Sequence, residues 1–235
     1  MPQLLLFDID GTLILTGRAG VRAMNRTFRE TLGIDDVLAG VPLAGRTDRA
    51  ILGEALARFA PEHPADDTWL LAFRDRYLEL LTEELGSDQP GKRILPGIEP
   101  LLDALDDRPD VHVALLTGNF ALGAEVKLRH FGLWSRFPWG AYGDAAVNRN
   151  DLLPVAFARA RENGLGGLSA ADVVVIGDTP HDVACAHHGG ARAVAVATGP
   201  YSEAALEATG AEVVVPDLSD TRAVLSAIES LTARG

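Results

Sequence analysis

The sequence predicts an α/β fold, a parallel sheet with helices on both faces, interrupted by a long all-helical insert. Five short apolar runs rich in β-branched residues, at 3–8, 111–117, 172–177, 192–197 and 212–215, read as strands, and helical patterns separate most of them. About a hundred residues part the first run from the second, far more than one crossover needs. Within that gap apolar residues recur at helical spacing (Val21, Met24, Phe28 and Leu32; Ile51, Ala55 and Phe59; Trp69, Phe73, Tyr77 and Leu80) with no strand-like alternation between them.

Along the chain, the first strand runs into Asp8-Ile9-Asp10-Gly11-Thr12. Strand alternation sets Asp8 and Asp10 on one face, and Gly11 lets the chain turn so that both point into a common mouth. Two carboxylates that close stay ionised only beside a cation. Oxygen-only donors suit magnesium, which accepts one or two carboxylates together with phosphate oxygens.

The insert spans 15–90, leaving 1–14 and 91–235 as the α/β part. Gly17 and Gly20 stand at its entry and Gly86-Ser87-Asp88-Gln89-Pro90-Gly91 at its exit, which is linker chemistry for a hinge. A polar break at Gly45-Arg46-Thr47-Asp48 separates two helical stripes, and Arg46 there is either a specificity group reaching back to the α/β part or an ordinary loop arginine.

Leu101, Leu102 and Leu105 then mark a helix before the strand that ends in Thr117-Gly118-Asn119. Lys127 lies on the next predicted helix with Val126, His130 and Leu133, and Leu153, Ala156, Phe157 and Ala160 mark another. The third strand ends in Gly177-Asp178-Thr179-Pro180-His181-Asp182. His187-His188 before Gly189-Gly190 reads as a helix terminus rather than a metal site.

The 235 residues, 47% hydrophobic, suffice for one core and a smaller appendage. A net charge of −12 argues against nucleic acid or an anionic membrane as partner, so any phosphate affinity must be local. A single cysteine, Cys185, forms no internal disulfide and fits a reducing cytoplasm. No apolar run reaches spanning length, and Asp8 interrupts the only candidate for a leader, so a cytoplasmic protein is expected, monomeric or weakly dimeric. Among 21 basic residues only Lys92 and Lys127 are lysines, and arginine cannot always replace a compact ammonium.

Aspartate strand, hydroxyl strand, lysine and acidic strand, in that order over nearly the whole chain, resemble the haloacid dehalogenase superfamily of phosphohydrolases, most closely its phosphoglycolate-phosphatase-like members. The resemblance implies a Rossmann-like core with the insert as a helical cap that closes over the site. It implies Asp8 as nucleophile and Asp10 as general acid/base, with Asp8, Asp10 and Asp178 holding Mg2+. Thr12, Thr117, Gly118 and Asn119 would bind phosphate or shape its loop. Lys127 would neutralise charge against the nucleophile and a phosphoryl oxygen, with Asp182 an outer partner of the metal or of Lys127.

The commonest pattern has its lysine shortly before the acidic strand, where this chain reads Asn148-Arg149-Asn150. Arg149 is therefore the competing cation, or a supporting contact. An acid at position 10 separates the chain from dehalogenases, and Lys92 is poorly placed for the Schiff-base chemistry of phosphonate-cleaving relatives. The expected activity is hydrolysis of a small phosphorylated metabolite; a phosphomutase, or an inactive binding member of the same fold, is the alternative.

Overall fold

The structure is a computed structural model, and it describes residues 2–64 and 66–232. Its main sheet is parallel, in the order β5-β4-β1-β6-β7-β8, where β1 is Gln3–Phe7, β4 Val111–Thr117, β5 Gly140–Tyr142, β6 Val173–Gly177, β7 Arg192–Val196 and β8 Val213–Val215. A separate antiparallel pair joins β2 (Ile14–Thr16) to β3 (Lys92–Ile94). The helices are α1 Ala19–Leu32, α2 Asp48–Phe59, α3 Asp67–Gly86, α4 Ile98–Asp106, α5 Ala121–His130, α6 Leu152–Glu162, α7 Pro180–His188, α8 Glu203–Glu207 and α9 Thr221–Thr232.

All five residues of β1 are buried because the sheet is covered on both sides. Leu5 and Phe7 pack with Leu115, Val174 and Ile176 against α4, α5 and α9. Leu4 and Leu6 face the other way, toward α6 and α7. The register sets Phe7 beside Leu115 and Ile176, so Asp8, one residue on, and Thr117 and Asp178, two residues on, gather at the carboxyl end of the sheet. The chain leaves β1 for β4 and β5 on one side, then crosses back to β6 on the other. That reversal opens a crevice at the carboxyl ends of the central strands, where open α/β sheets bind ligands.

Three expectations need correction. The edge strand β5 and the β2–β3 ribbon were absent from the predicted set. Each is three residues long, and the ribbon strands pair only with one another, so neither needs a long apolar run. Phe59, taken as part of a buried stripe, is exposed at the end of α2.

The helices between β2 and β3 have a core of their own: Phe28, Leu52, Ala55, Phe73, Tyr77 and Leu80 pack together, with Phe28 and Phe73 edge to face at 4.8 Å. This core includes Phe120 from the start of α5, whose ring lies 6.3 Å from that of Tyr77, so it is continuous with the α/β part at one seam. Lys92 lies outside the crevice: its ammonium binds the Leu85 carbonyl at 2.7 Å and that of Ser87, closing the end of α3. No helix among the described residues is long and apolar enough to cross a membrane.

Candidate active site

Asp8 is held by the sheet itself, its amide donating to the Ile176 carbonyl at 2.9 Å. The turn that follows requires Gly11. Its φ is +89°, and a Cβ there would stand 2.3 Å from an Asp178 carboxylate oxygen, so only glycine lets the first loop lie against the acidic one. Thr12 donates to Asp178 Oδ1 at 3.1 Å. Of the two roles expected of it, binding phosphate or shaping the loop, this bond serves the second.

Carboxylate oxygens of Asp8, Asp178 and Asp182 lie within 4.8 Å of one another, all buried. Burial lifts the Asp8 carboxyl above its usual range, opposed by Arg149. Burial, then the Asp182 and Asp8 carboxylates, lifts Asp178 further. Such a group favours a proton or a cation, and an all-oxygen donor set selects a hard ion such as magnesium. Of the three, Asp182 is the least free. One oxygen accepts from Arg149, and the other accepts from the amide and hydroxyl of Thr179 at 3.0 and 2.7 Å, which cap α7. Asp8 and Asp178 are therefore the better ligands.

Asp10, the expected third ligand, turns its side chain out of this cluster. Its Oδ2 accepts from Lys127 Nζ at 2.6 Å and Asn119 Nδ2 at 2.8 Å. Lys127 also donates to Asn119 Oδ1 at 2.5 Å, and Asn119 donates to the Thr117 hydroxyl at 2.8 Å, so the hydroxyl loop and Asp10 share one network. Asp10 Oδ1 accepts no hydrogen bond among the described residues and is left for the crevice.

The two cations have thus divided differently from expectation. Arg149, not Lys127, stands against the nucleophile candidate, its guanidinium 3.2 Å from Asp8 and also paired with Asp182. Asp182 accordingly orients Arg149 and makes no contact with Lys127. The physical reason is local: Arg149–Asp151 forms a short turn beside α7, carrying the long fork under β1, whereas α5 delivers Lys127 on the side of Asp10. Arg149 is buried, and its two acid partners hold it strongly protonated.

The insert meets the site through the segment singled out in the sequence, where Arg46 lines the cleft but its guanidinium is engaged within the insert. That guanidinium turns back to Glu54 at 2.5 Å and the Pro42 carbonyl at 3.0 Å. An arginine just before a helix here satisfies itself on an acid two turns along and a carbonyl one turn along, so the reach toward the crevice is not made by its charge. Asp48 makes the contact instead. Its amide donates to the Gly118 carbonyl at 2.7 Å, and its carboxylate accepts the Phe120 amide at 2.8 Å. Thr47 adds a bond to the Val147 carbonyl at 2.7 Å. Gly118 allows this approach: a Cβ would lie 2.2 Å from the Arg46 carbonyl oxygen. Sequence reasoning passed over Asp48, although an acid at the first turn of a predicted helix was its signal. Thr198, whose hydroxyl donates to the Gly11 carbonyl at 2.5 Å, carried no such signal.

Between insert and sheet lies a cleft of about 690 Å3, lined by Asp8, Asp10, Thr117, Lys127, Arg149 and Asp178 below and by α1, Leu43 and Ile51 above. Arg18 and Arg93 also line it while exposed, and their guanidinium groups make no hydrogen bond or ion pair among the described residues.

Comparison with known proteins agrees with this architecture. The chain is 26% identical over 237 residues to a probable phosphatase, IndB, of Dickeya dadantii, covering 99% of this chain and 97% of that one. It is 28% identical over 221 residues to a phosphoglycolate phosphatase of Rhodospirillum rubrum, covering 93% and 89%. Among solved structures it superposes on β-phosphoglucomutase of Clostridium difficile with a TM-score of 0.74 at 18% identity over both full chains. It also superposes on CbbY of Rhodobacter sphaeroides, solved with phosphate, with a TM-score of 0.67 at 22% identity over 94% of this chain and 96% of that one. At such identity these structures speak for the fold alone. Residues 2–190 match the haloacid dehalogenase-like hydrolase family, a span that takes in every strand-end acid and both candidate cations, and with it the chain belongs to that family.

Proposed function

We propose that the protein is a magnesium-dependent phosphatase of phosphate monoesters that works through a phosphoryl group carried on Asp8. The observation that bears most weight is the convergence of Asp8, Asp178 and Asp182 at the sheet's reversal point with Arg149 against Asp8. A carboxylate nucleophile divides one hard displacement into two easier ones. The remaining task, positioning and charge neutralisation, is what this site is equipped to do.

In the first step an Asp8 oxygen forms a bond to phosphorus as the ester P–O bond breaks, and the departing alkoxide takes a proton from Asp10 Oδ1. In the second, Asp10 removes a proton from water, whose oxygen bonds to phosphorus while the Asp8–phosphorus bond breaks, releasing inorganic phosphate. Lys127 and Asn119 hold the opposite oxygen of Asp10, fixing the plane of its carboxyl for both transfers. Arg149 holds Asp8 in line and offsets negative charge beneath the phosphoryl group. A divalent cation on Asp8 and Asp178 would offset charge on the phosphoryl oxygens.

The helical insert acts in this reading as the cap. Docking of Asp48 beside the hydroxyl loop and of Thr47 on the Val147 carbonyl supports a closed arrangement, which excludes water from the phosphoryl centre. The test is release of inorganic phosphate from p-nitrophenyl phosphate with magnesium, and after chelation. Magnesium-restorable release supports the reading. Release unaffected by chelation removes the metal from it, and no release under any metal removes the phosphatase.

A further inference from the structure

The cleft is much larger than a phosphoryl group needs, and its two sides differ in chemistry. At about 690 Å3 it falls within the range that encloses drug-sized ligands. The phosphoryl group and a cation can fill only the part next to Asp8 and Asp178. The rest lies under a wall from the insert: Val21 and Met24, one turn apart on α1, Leu43 and Ile51 at the entry to α2, and Tyr77 from α3, with Leu15 beside them and Arg18, Arg46 and Asp48 as its charged members. Met24, Ile51 and Tyr77 are almost wholly buried in place, so the wall is built into the insert's core rather than being a set of mobile side chains.

Within this wall the Tyr77 hydroxyl makes no hydrogen bond, although the side chain is only 1% exposed. The hydroxyl borders the cleft on the side of Asp10 and Asp48, so it is one polar group free to meet whatever enters. A short polar leaving group of two carbons would leave the half-buried Leu15, Val21 and Leu43 facing water.

We infer that the leaving group of the ester is bulky and mainly apolar, covering Met24, Leu43 and Ile51, and that it presents one polar atom to Tyr77. This rests on the phosphatase reading and narrows its substrate class. The carbon skeleton of the alcohol is bound by the insert, while the phosphoryl end is bound by the sheet.

A series of n-alkyl phosphates from ethyl to octyl tests this, because the leaving alcohols differ little in acidity and only the buried apolar surface changes. Each methylene that reaches the wall should raise kcat/KM about two- to fourfold, from roughly 0.8 kcal/mol per buried methylene. A flat or falling series beyond ethyl overturns the inference. p-Nitrophenyl phosphate, whose leaving group needs little help, separates the two failures. If it is hydrolysed while the series is flat, the apolar subsite is wrong and the phosphatase stands; if nothing is hydrolysed, both fall. Leu43→Asn, in a half-buried turn and checked for an unchanged melting transition, should flatten the slope with chain length. A parental slope in that variant contradicts the assignment of the wall.

Discussion

The floor and the roof of the cleft are built on opposite principles. The floor sets four acids and two cations at the ends of three parallel strands and the turns beside them, and nearly every polar atom there is matched: Arg149 with Asp8 and Asp182, Lys127 with Asp10 and Asn119, Thr12 with Asp178. The roof is a mainly apolar face of the insert, with few charged groups, that touches the floor around Asp48 and where Tyr77 meets Phe120. Sheet register positions the floor and leaves it little freedom to change. The roof can be rebuilt without disturbing that register. The division places chemistry on the strands and selectivity on the insert, and substitutions on the two sides should fail differently.

The floor should show the largest effects. Asp8→Asn keeps the shape and loses the nucleophile, so phosphate release should fall on the order of 10^4-fold or more with the fold retained. Residual release within a hundredfold of the parent rejects Asp8. Next come the two cations, whose order the structure reverses from the one the sequence suggested. Arg149→Ala leaves Asp8 and Asp182 without their shared partner and should lower both kcat and stability, the latter by about 3–5 kcal/mol as for other broken buried pairs. Lys127→Ala should lose about a hundredfold in kcat, the scale of impaired proton transfer through Asp10, with a smaller change in melting. If Lys127→Ala proves the more damaging in kcat, the charge that matters is at Asp10 and not at Asp8.

Those two residues show where the sequence was legible and where it was not. Asp8, Thr117 and Asp178 could be read because each follows an apolar run buried on both faces, and a strand end fixes where its next residue lies. Lys127 and Arg149 sit on a helix and a short turn, where the side of approach depends on how α5 and α7 pack, and no local pattern encodes that. The β2–β3 ribbon was missed for a related reason. Lys92 and Arg93 interrupt any apolar run, and the pairing of Thr16 with Lys92 becomes visible only when the chain returns from the insert. At the roof the right segment was found with two readings left open for Arg46: an acid on the helix that follows takes its guanidinium, leaving Asp48 to meet the floor.

Asp48, where roof meets floor, gives an intermediate and pH-dependent effect. Burial pushes its carboxyl up to about 6, against an ordinary 3.8. A raised carboxyl favours folding only while protonated in the native state. Its contribution is present below about pH 4 and is lost as pH rises through 6. Asp48→Asn keeps an acceptor for the Phe120 amide and escapes that loss. The variant's stability relative to the parent should therefore improve between pH 4 and 7, by at most about 3 kcal/mol for two pKa units. A difference that does not change with pH places Asp48 outside any desolvated joint.

The smallest effect is expected at Arg46. Its guanidinium is engaged with Glu54 and Pro42, so Arg46→Ala should change kcat/KM less than about threefold and by the same factor across a panel of esters. Surface-type ion pairs of this kind contribute little to stability either. A substrate-dependent change would return Arg46 to the specificity role first expected of it and break the division between a charged floor and an apolar roof.

The account as a whole turns on Asp8 carrying the phosphoryl group. Acid quenching during turnover, followed by borohydride reduction, converts an aspartyl phosphate to homoserine at the residue that bore it, and peptide mass spectrometry locates that residue. Homoserine at position 8, absent without substrate and absent in Asp8→Asn, is the predicted result. Homoserine at position 10 or 178, or none anywhere while turnover proceeds and a control acyl phosphate is reduced, contradicts it.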